Sequence, residues 1–148
     1  MRCYEYRHRI SFEDTNLIGN VYYANHIRWQ GRCRELFLHD HAPQVMDELQ
    51  RGMTLATTRV SCAYYQELAA FDEVLIRMRA GPMTQSRLTM LFDYSRVLPD
   101  GREELVARGE QEIASLRRDN GRLVAMPLPE SLRQALVPFT DAPPSVFR

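Results

Sequence analysis

Three cysteines are the strongest nucleophiles that the sequence offers. They are Cys3, Cys33 and Cys62, an odd number with wide spacing and no CxxC arrangement. This spacing argues against a disulfide framework and against a zinc knuckle. No obvious activating base lies near Cys33 or Cys62 in the sequence, so we expect both to be reduced core residues rather than catalytic thiols.

Metal, nucleotide and serine-hydrolase chemistry find little support. His39 and His41 flank Asp40 at the end of a predicted helix, but residues at i and i+2 do not share a helix face. A solvated helix end, where the helix dipole favours cations, explains this triplet better than a metal site. The sequence contains no GxSxG, no P-loop and no GxGxxG. We therefore expect no metal and no organic cofactor.

Composition predicts one globular domain spanning residues 1–148. Of the 148 residues 45 % are hydrophobic, and 19 basic side chains cancel 19 acidic ones. A neutral chain has no overall field for nucleic acid or an anionic membrane. The charged N-terminus is unlike a signal peptide, and no apolar run approaches the roughly 20 residues of a membrane span. These features predict a cytoplasmic protein with a short disordered tail from about residue 139.

The periodicity of apolar residues predicts an α+β fold. Alternation over residues 4–12 indicates a half-buried strand, and residues 13–20 are turn formers. A 3.6-residue period over residues 23–39, with Trp29, Cys33 and Phe37 on one stripe, indicates a helix buried over much of its circumference. We expect Gly31 within it to allow close approach of a strand or a partner. A short helix from Pro43 to about Arg51 follows. Alternating apolar residues then indicate strands over residues 74–80, which Gly81-Pro82 should end, and over residues 88–94, with a longer strand over about residues 104–117. With a hairpin-type turn at residues 119–121 and a terminal helix near residues 129–137, the order predicts an antiparallel sheet of about five strands that wraps the central helix.

The segment between the first strand and the helix carries a family resemblance. The pattern D-T-D-x-x-G-x-V-Y-(H/Y)-x-x-Y of 4-hydroxybenzoyl-CoA thioesterase-like hotdog proteins is matched at Asp14-Thr15, Gly19, Val21-Tyr22-Tyr23 and Asn25. The resemblance is dense over residues 12–37 and continues more loosely to about residue 135. It implies a hotdog fold and acyl thioester hydrolysis.

One position departs from that pattern in a way that indicates a branch of the family. Where the family usually has a catalytic carboxylate the sequence has Asn16, whose amide cannot act as a general base or a carboxylate nucleophile. The phrases Thr-Asn-Leu-Ile-Gly-Asn-Val-Tyr-Tyr and Arg-Trp-Gln-Gly-Arg-Cys-Arg-Glu, with residues 106–111 later, are similar to thioesterases of enediyne biosynthesis. Those proteins carry Asn in place of the acid and remain hydrolases.

The resemblance assigns roles to several residues. The free backbone amide of Tyr23 at the helix start would hold the oxyanion, Gly19 would keep that end open, and Asn16 would hold the attacking water or the carbonyl. Asn16 could instead only shape the loop as an Asx-turn residue. Asn25 belongs to the same motif and would contact the substrate. Six aromatic side chains could line an apolar channel that suits a conjugated chain, although each one alone is more often plain core: Tyr22, Tyr23, Trp29, Tyr64, Tyr65 and Phe92.

Arg34 corresponds to an arginine thought to assist catalysis in the enediyne branch. It lies eleven residues after Tyr23, about 16 Å along an ideal helix. If the helix is straight, Arg34 therefore does not lie beside Asn16 of the same chain. Action across a dimer interface and a buried structural salt bridge both remain open. The resemblance further implies a homodimer or homotetramer.

The implied reaction is hydrolysis of a β-keto polyenoyl thioester held on the acyl carrier domain of an iterative polyketide synthase. A general acyl-CoA thioesterase of the same fold is one alternative. A non-catalytic hotdog module that binds an acyl chain or a carrier protein is another, and Asn16 is its main support.

Overall fold

The computed structural model describes residues 2–140 and has a six-stranded antiparallel sheet with one long helix against it. The elements, in chain order, are β1 (Tyr4–Arg9), a 3₁₀ turn (Phe12–Asp14), α1 (Ala24–His41), α2 (Pro43–Gln50), β2 (Met53–Tyr64), β3 (Glu73–Met83), β4 (Arg87–Val97), β5 (Glu103–Asp119), β6 (Arg122–Ala125), α3 (Glu130–Leu136) and a second 3₁₀ turn (Val137–Phe139). The predicted α+β arrangement is confirmed.

The strands lie in the order β1-β3-β4-β5-β2, and the short β6 pairs with the far end of β5. β2 is therefore an outer strand, twelve residues long, paired on one side with β5. The hairpin between β5 and β6 turns at Asn120 (φ 50°) and Gly121 (φ 79°), the two positive φ values that a type I′ turn needs.

The core lies between α1 and one face of the sheet. On α1, Trp29, Cys33 and Phe37 are almost fully buried, as the helical period predicted. The alternating residues of the middle strands face them: Val74, Ile76, Met78 and Ala80 of β3, and Leu88, Met90, Phe92 and Tyr94 of β4.

Several predicted details were wrong for local reasons. The chain leaves β1 after Arg9 and enters the 3₁₀ turn, so Phe12 is 72 % exposed rather than on the buried face. Gly81-Pro82 does not end β3, which continues to Met83 through an irregularity in its register. Phe139, where the tail was predicted to begin, is buried and stacks edge-on against Phe37. The predicted Pro143-Pro144 region lies outside the described residues.

Within one protomer, the close approach of a strand expected at Gly31 occurs at a different glycine. A side chain added at Gly31 would meet nothing within 4 Å, whereas one at Gly109 would overlap the amide of Gln30 and lie 2.9 Å from the Ser61 carbonyl. Within the described chain, the tight contact between helix and sheet is therefore made at β5.

Candidate active site

The loop before α1 is held by the buried Asp14. Its carboxylate accepts hydrogen bonds from the Ser11 backbone N–H (3.0 Å) and pairs with His8 Nε2 (2.9 Å). Burial would raise the pKa of Asp14, but the Ser11 amide and His8 outweigh it and lower that pKa. The Asp14 carbonyl accepts from the Tyr22 N–H and from Asn25 Nδ2, both at 2.9 Å. Asn25 therefore ties the loop to the first turn of α1.

Asn16 lies at the tip of this loop and is exposed. Its N–H donates to the Asn20 carbonyl (2.8 Å), and its Oδ1 accepts from the Ile18 N–H (3.1 Å), which is an Asx turn. Gly19, with φ of 95°, completes the reversal. The Asn16 side-chain NH₂ group has no acceptor among residues 2–140, so the loop uses the oxygen of this side chain and leaves the donor free.

The N-terminus of α1 is open. Its N-cap, Tyr23, makes no side-chain cap, and the first turn carries no acidic residue. Within the described residues, the N–H groups of Tyr23 and Ala24 reach no acceptor. Unsatisfied N–H groups at a helix start attract negative charge, so this end can hold a developing oxyanion.

Three of the predicted aromatic residues, Tyr22, Tyr23 and Tyr64, lie at this end and are exposed. Tyr22 and Tyr23 have ring centroids 4.7 Å apart. The Tyr64 hydroxyl donates to the Tyr23 carbonyl (2.7 Å), and burial, with Cys62 nearby, raises the Tyr64 pKa to about 12. Tyr65 follows at the end of β2 and is 55 % exposed.

Trp29 lies apart from this exposed group. It is 4 % exposed and packs against the rings of His8 and His26, at centroid distances of 5.0 and 5.3 Å. Phe92 likewise belongs to the core at 1 % exposure.

Arg34 lies further along α1 and points to the sheet. Its Nη1 donates to Gln111 Oε1 of β5 (2.7 Å) and to Thr57 Oγ1 of β2 (3.2 Å). Burial lowers the Arg34 pKa, with Glu35 acting in the opposite direction. No carboxylate among residues 2–140 forms a salt bridge with it, so the structural salt bridge that was one of the two open alternatives does not form within this protomer, and neutral groups hold the guanidinium.

The cysteines have no catalytic setting. Cys33 is fully buried, and burial raises its pKa to about 12. Burial likewise raises the pKa of Cys62.

In residues 2–140 no three His, Cys, Asp or Glu side chains converge in a way that could hold a metal ion. No helix in that range is long and apolar enough to cross a membrane.

Sequence reasoning missed His26. It is 4 % exposed, and both ring nitrogens are buried without a hydrogen-bond partner in the described chain. The available signal was its position, since the family pattern ends in Tyr where this chain has His26.

A surface groove of about 460 Å³ runs along the other side of α1. Its lining includes Asp14, Arg28 and Arg32 but none of Asn16, Tyr23 and Arg34. This groove and the candidate catalytic residues therefore do not coincide in the isolated protomer.

Comparison with known proteins identifies the family. The model of the thioesterase-like superfamily matches residues 10–136. The dynemicin thioesterase, whose crystal structures describe induced-fit and allosteric effects upon polyene binding, is 43 % identical over 96 % of this chain and 100 % of its own, with a TM-score of 0.91. No curated protein sequence matches the chain.

More distant structures share the fold. A variant of 4-hydroxybenzoyl-CoA thioesterase complexed with 4-hydroxybenzoyl-CoA is 21 % identical over 92 % of this chain and 99 % of its own, with a TM-score of 0.81. The 1,4-dihydroxy-2-naphthoyl-CoA thioesterase from Synechocystis is 16 % identical over 91 % and 96 %, with a TM-score of 0.78. The predicted hotdog fold and the resemblance to the enediyne branch are confirmed. The chain therefore belongs to the thioesterase-like superfamily and is a hotdog-fold acyl thioester hydrolase.

Proposed function

We propose that this thioesterase hydrolyses a β-keto polyenoyl thioester held on the acyl carrier domain of an iterative enediyne polyketide synthase, in the cytoplasm and without a cofactor. The single observation that carries the proposal is the free carboxamide donor of Asn16 in the loop that leads into the uncapped N-terminus of α1. The relative that binds a polyene supports the acyl class.

The proposed chemistry needs few groups because a thioester is already activated. Water attacks the thioester carbon, and the oxygen that gains the negative charge is held by the Tyr23 N–H at the helix start. The Asn16 NH₂ group orients that oxygen or the water. The carbon–sulfur bond then breaks, the thiol leaves with a proton that comes from the water, and the acid is released. A β-keto acid released in this way loses carbon dioxide readily.

An amide in place of a carboxylate suits this chemistry. The Asn16 side chain supplies a hydrogen-bond donor and carries no negative charge. A carboxylate at this position would repel the developing oxyanion. This mechanism assigns no residue as the general base that deprotonates the water. We therefore expect modest turnover and a substrate whose thioester is intrinsically reactive.

We propose that the working form pairs two copies, as a homodimer or a homotetramer. The outer edge of β2 has no strand partner within residues 2–140, and the residues from Thr57 to Ser61 on it are exposed. A long unpaired edge is a template for a second strand. The loop before α1 and the end of β2 expose large apolar side chains that a second copy would cover: Leu17, Ile18, Tyr22 and Tyr23 from the loop, and Tyr64 and Tyr65 from the end of β2. Arg34 reaches β2 through Thr57, so pairing at this edge would bring it towards the partner's loop.

The test is turnover of a β-ketoacyl carrier-domain thioester by the purified protein, without added metal, beside an acyl-CoA of equal chain length. Faster release from the carrier substrate is the expected result. Faster release from the CoA substrate would instead identify a general acyl-CoA thioesterase, and no release from either by folded protein would contradict the proposed reaction.

A further inference from the structure

Two side chains on the inner face of α1 bury polar atoms that have no hydrogen-bond partner within residues 2–140. Over that range, both ring nitrogens of His26, which is 4 % exposed, and Oε1 of the fully buried Gln30 are unpartnered. They lie four residues apart and so on one face of the helix. A buried polar atom without a partner destabilises a fold, so native proteins keep few of them except where a ligand or water can bind.

The surroundings of His26 are apolar and rigid. Its ring lies against those of Trp29, Tyr64 and Tyr94, at centroid distances of 5.3, 4.7 and 5.5 Å. The Tyr94 hydroxyl donates to the His26 carbonyl (2.7 Å) and so fixes the backbone that carries the ring. The nearby Tyr23 carbonyl accepts from the Tyr64 hydroxyl (2.7 Å).

The imidazole is held in the form that can both donate and accept. Burial lowers the His26 pKa, with the Tyr23 carbonyl acting in the opposite direction. A neutral imidazole presents one N–H donor and one bare acceptor nitrogen. The ring can therefore bind a ketone oxygen or a hydroxyl group.

We propose that His26, supported by Gln30, forms a polar subsite inside the apolar interior that hydrogen-bonds an oxygen substituent near the thioester end of the acyl chain. The identity of that ligand rests on the proposed function. The subsite makes His26 a specificity-determining residue that separates 3-oxoacyl chains from unsubstituted ones.

The position along α1 fits an oxygen close to the reacting carbon. His26 is three residues after Tyr23, about 4.5 Å along the helix axis, and side chains on a helix lean back towards its N-terminus. A chain whose thioester oxygen sits on the Tyr23 N–H and whose carbons enter between α1 and the sheet passes His26 first. Gln30 lies one turn deeper, about 6 Å further on.

Gln30 also has a structural task that limits its use as a probe. Its Nε2 donates to the Ser61 carbonyl of β2 (3.0 Å) and so braces the helix against the sheet. His26 makes no side-chain hydrogen bond within residues 2–140. A substitution that replaces the imidazole by an apolar ring therefore removes the proposed hydrogen bond to the substrate and keeps the packing of an aromatic ring at this position.

The test compares 3-oxododecanoyl and dodecanoyl pantetheine thioesters with wild type, His26→Phe and the control His41→Phe. His41 lies at the opposite end of α1 against Phe37 and Phe139. We expect wild type and His41→Phe to favour the 3-oxo substrate at least tenfold in kcat/KM. His26→Phe should lose that preference by slowing the 3-oxo substrate alone. If the ratio of the two kcat/KM values is the same in His26→Phe as in wild type, whether both substrates are slowed equally or neither is slowed, the proposed subsite is wrong.

A binding measurement separates this inference from the proposed function. The probes are the same two pantetheine compounds with a methylene in place of the thioester sulfur, followed through the ¹⁵N resonances of the His26 imidazole. A shift with the 3-oxo compound and none with its plain counterpart supports the subsite even if wild type hydrolyses neither thioester. Identical spectra with both compounds would mean that the imidazole binds a resident water or nothing, which overturns it.

Discussion

Gln30 reaches the backbone of β2 because Gly109, on the neighbouring strand β5, has no side chain. The Gln30 amide donates to the Ser61 carbonyl across the space where a Gly109 Cβ would lie. Gly109 is paired with Cys62 of β2 and with Phe92 of β4, so the sheet cannot shift locally to make room.

Gly109→Ala should therefore destabilise the protein. An added methyl group would overlap the Gln30 amide and crowd the Ser61 carbonyl, and overpacking of this kind costs about 1–3 kcal/mol. We expect thermal unfolding of Gly109→Ala roughly 3–10 °C below wild type.

Gly31→Ala is the matched control, since it adds the same methyl group on α1 with nothing within 4 Å. Its better helix propensity should stabilise the protein by up to about 1 kcal/mol. A loss of stability in Gly31→Ala that grows with protein concentration would instead show that a partner approaches α1 there. An unchanged melting temperature in Gly109→Ala would contradict the steric argument.

The spacing of apolar residues along the sequence predicted which faces of the helices and strands are buried. The alternation of β3 and β4 and the helical stripe of α1 placed their buried faces correctly, because burial on one side imposes the period. The irregular end of β3 and the burial of Phe139 depend on neighbours far along the chain. The close contact at Gly109 depends on which strand and which helix residue lie beside it. A short stretch of sequence does not contain that information.

The candidate site divides in the same way. The motif residues Asp14, Gly19 and Asn25 predicted the loop and the open helix end, since their hydrogen bonds are made within a few residues of one another or to the first turn. Arg34 was placed on the correct helix, but its partners Thr57 and Gln111 are distant in sequence. An ion-pair partner was one of two open alternatives for Arg34, and neutral groups occupy that place in the protomer.

Asn16→Ala should lower kcat at least tenfold, which corresponds to about 1.4 kcal/mol of transition-state stabilisation. The residue is exposed and makes one local side-chain bond, to the Ile18 N–H, so the melting temperature should change little. Steady-state kinetics on the 3-oxoacyl thioester together with a melting curve check both statements.

Asn16→Asp separates the two possible tasks of that side chain. An aspartate keeps the acceptor of the Asx turn and loses the NH₂ donor. If the turn were the whole role, Asn16→Asp would match wild type at all pH values. We expect instead an altered rate and a new acidic limb in the pH–rate profile, because the introduced carboxyl group titrates and the amide does not.

Asn16 and Arg34 should act across two protomers. Each of Asn16→Ala and Arg34→Ala should be impaired alone. In a mixed dimer of the two variants, a site built from Asn16 of one copy and Arg34 of the other is intact, whereas sites built within one copy are all damaged. Subunit exchange between the two variants should then restore up to about a quarter of wild-type activity. No recovery, with mixed dimers demonstrated by native mass spectrometry, would place both residues in one protomer.

His26 should make the protein less stable as the pH falls below about 6.5. Burial lowers the pKa of this imidazole in the folded state, against a nearby carbonyl that raises it, so the unfolded chain takes up the proton first. Between the unfolded pKa of about 6.5 and the lower folded value, the unfolded state binds more protons, and the free energy of unfolding falls with decreasing pH by up to about 1.4 kcal/mol per unit. Above that window the contribution is constant.

His26→Phe should remove this slope. The rings of Tyr64 and Tyr94 pack against the His26 ring, and Cys62 lies near both tyrosines. Burial raises the pKa values of all three groups, so they do not titrate between pH 5 and 7. Carboxyl groups such as Asp14 act at lower pH and are present in both proteins. Urea unfolding of wild type and His26→Phe from pH 5.0 to 7.5, at one protein concentration, should give curves that diverge towards acid. Parallel curves would mean that the folded protein accommodates the charged imidazole, and the buried environment argued for His26 would then be wrong.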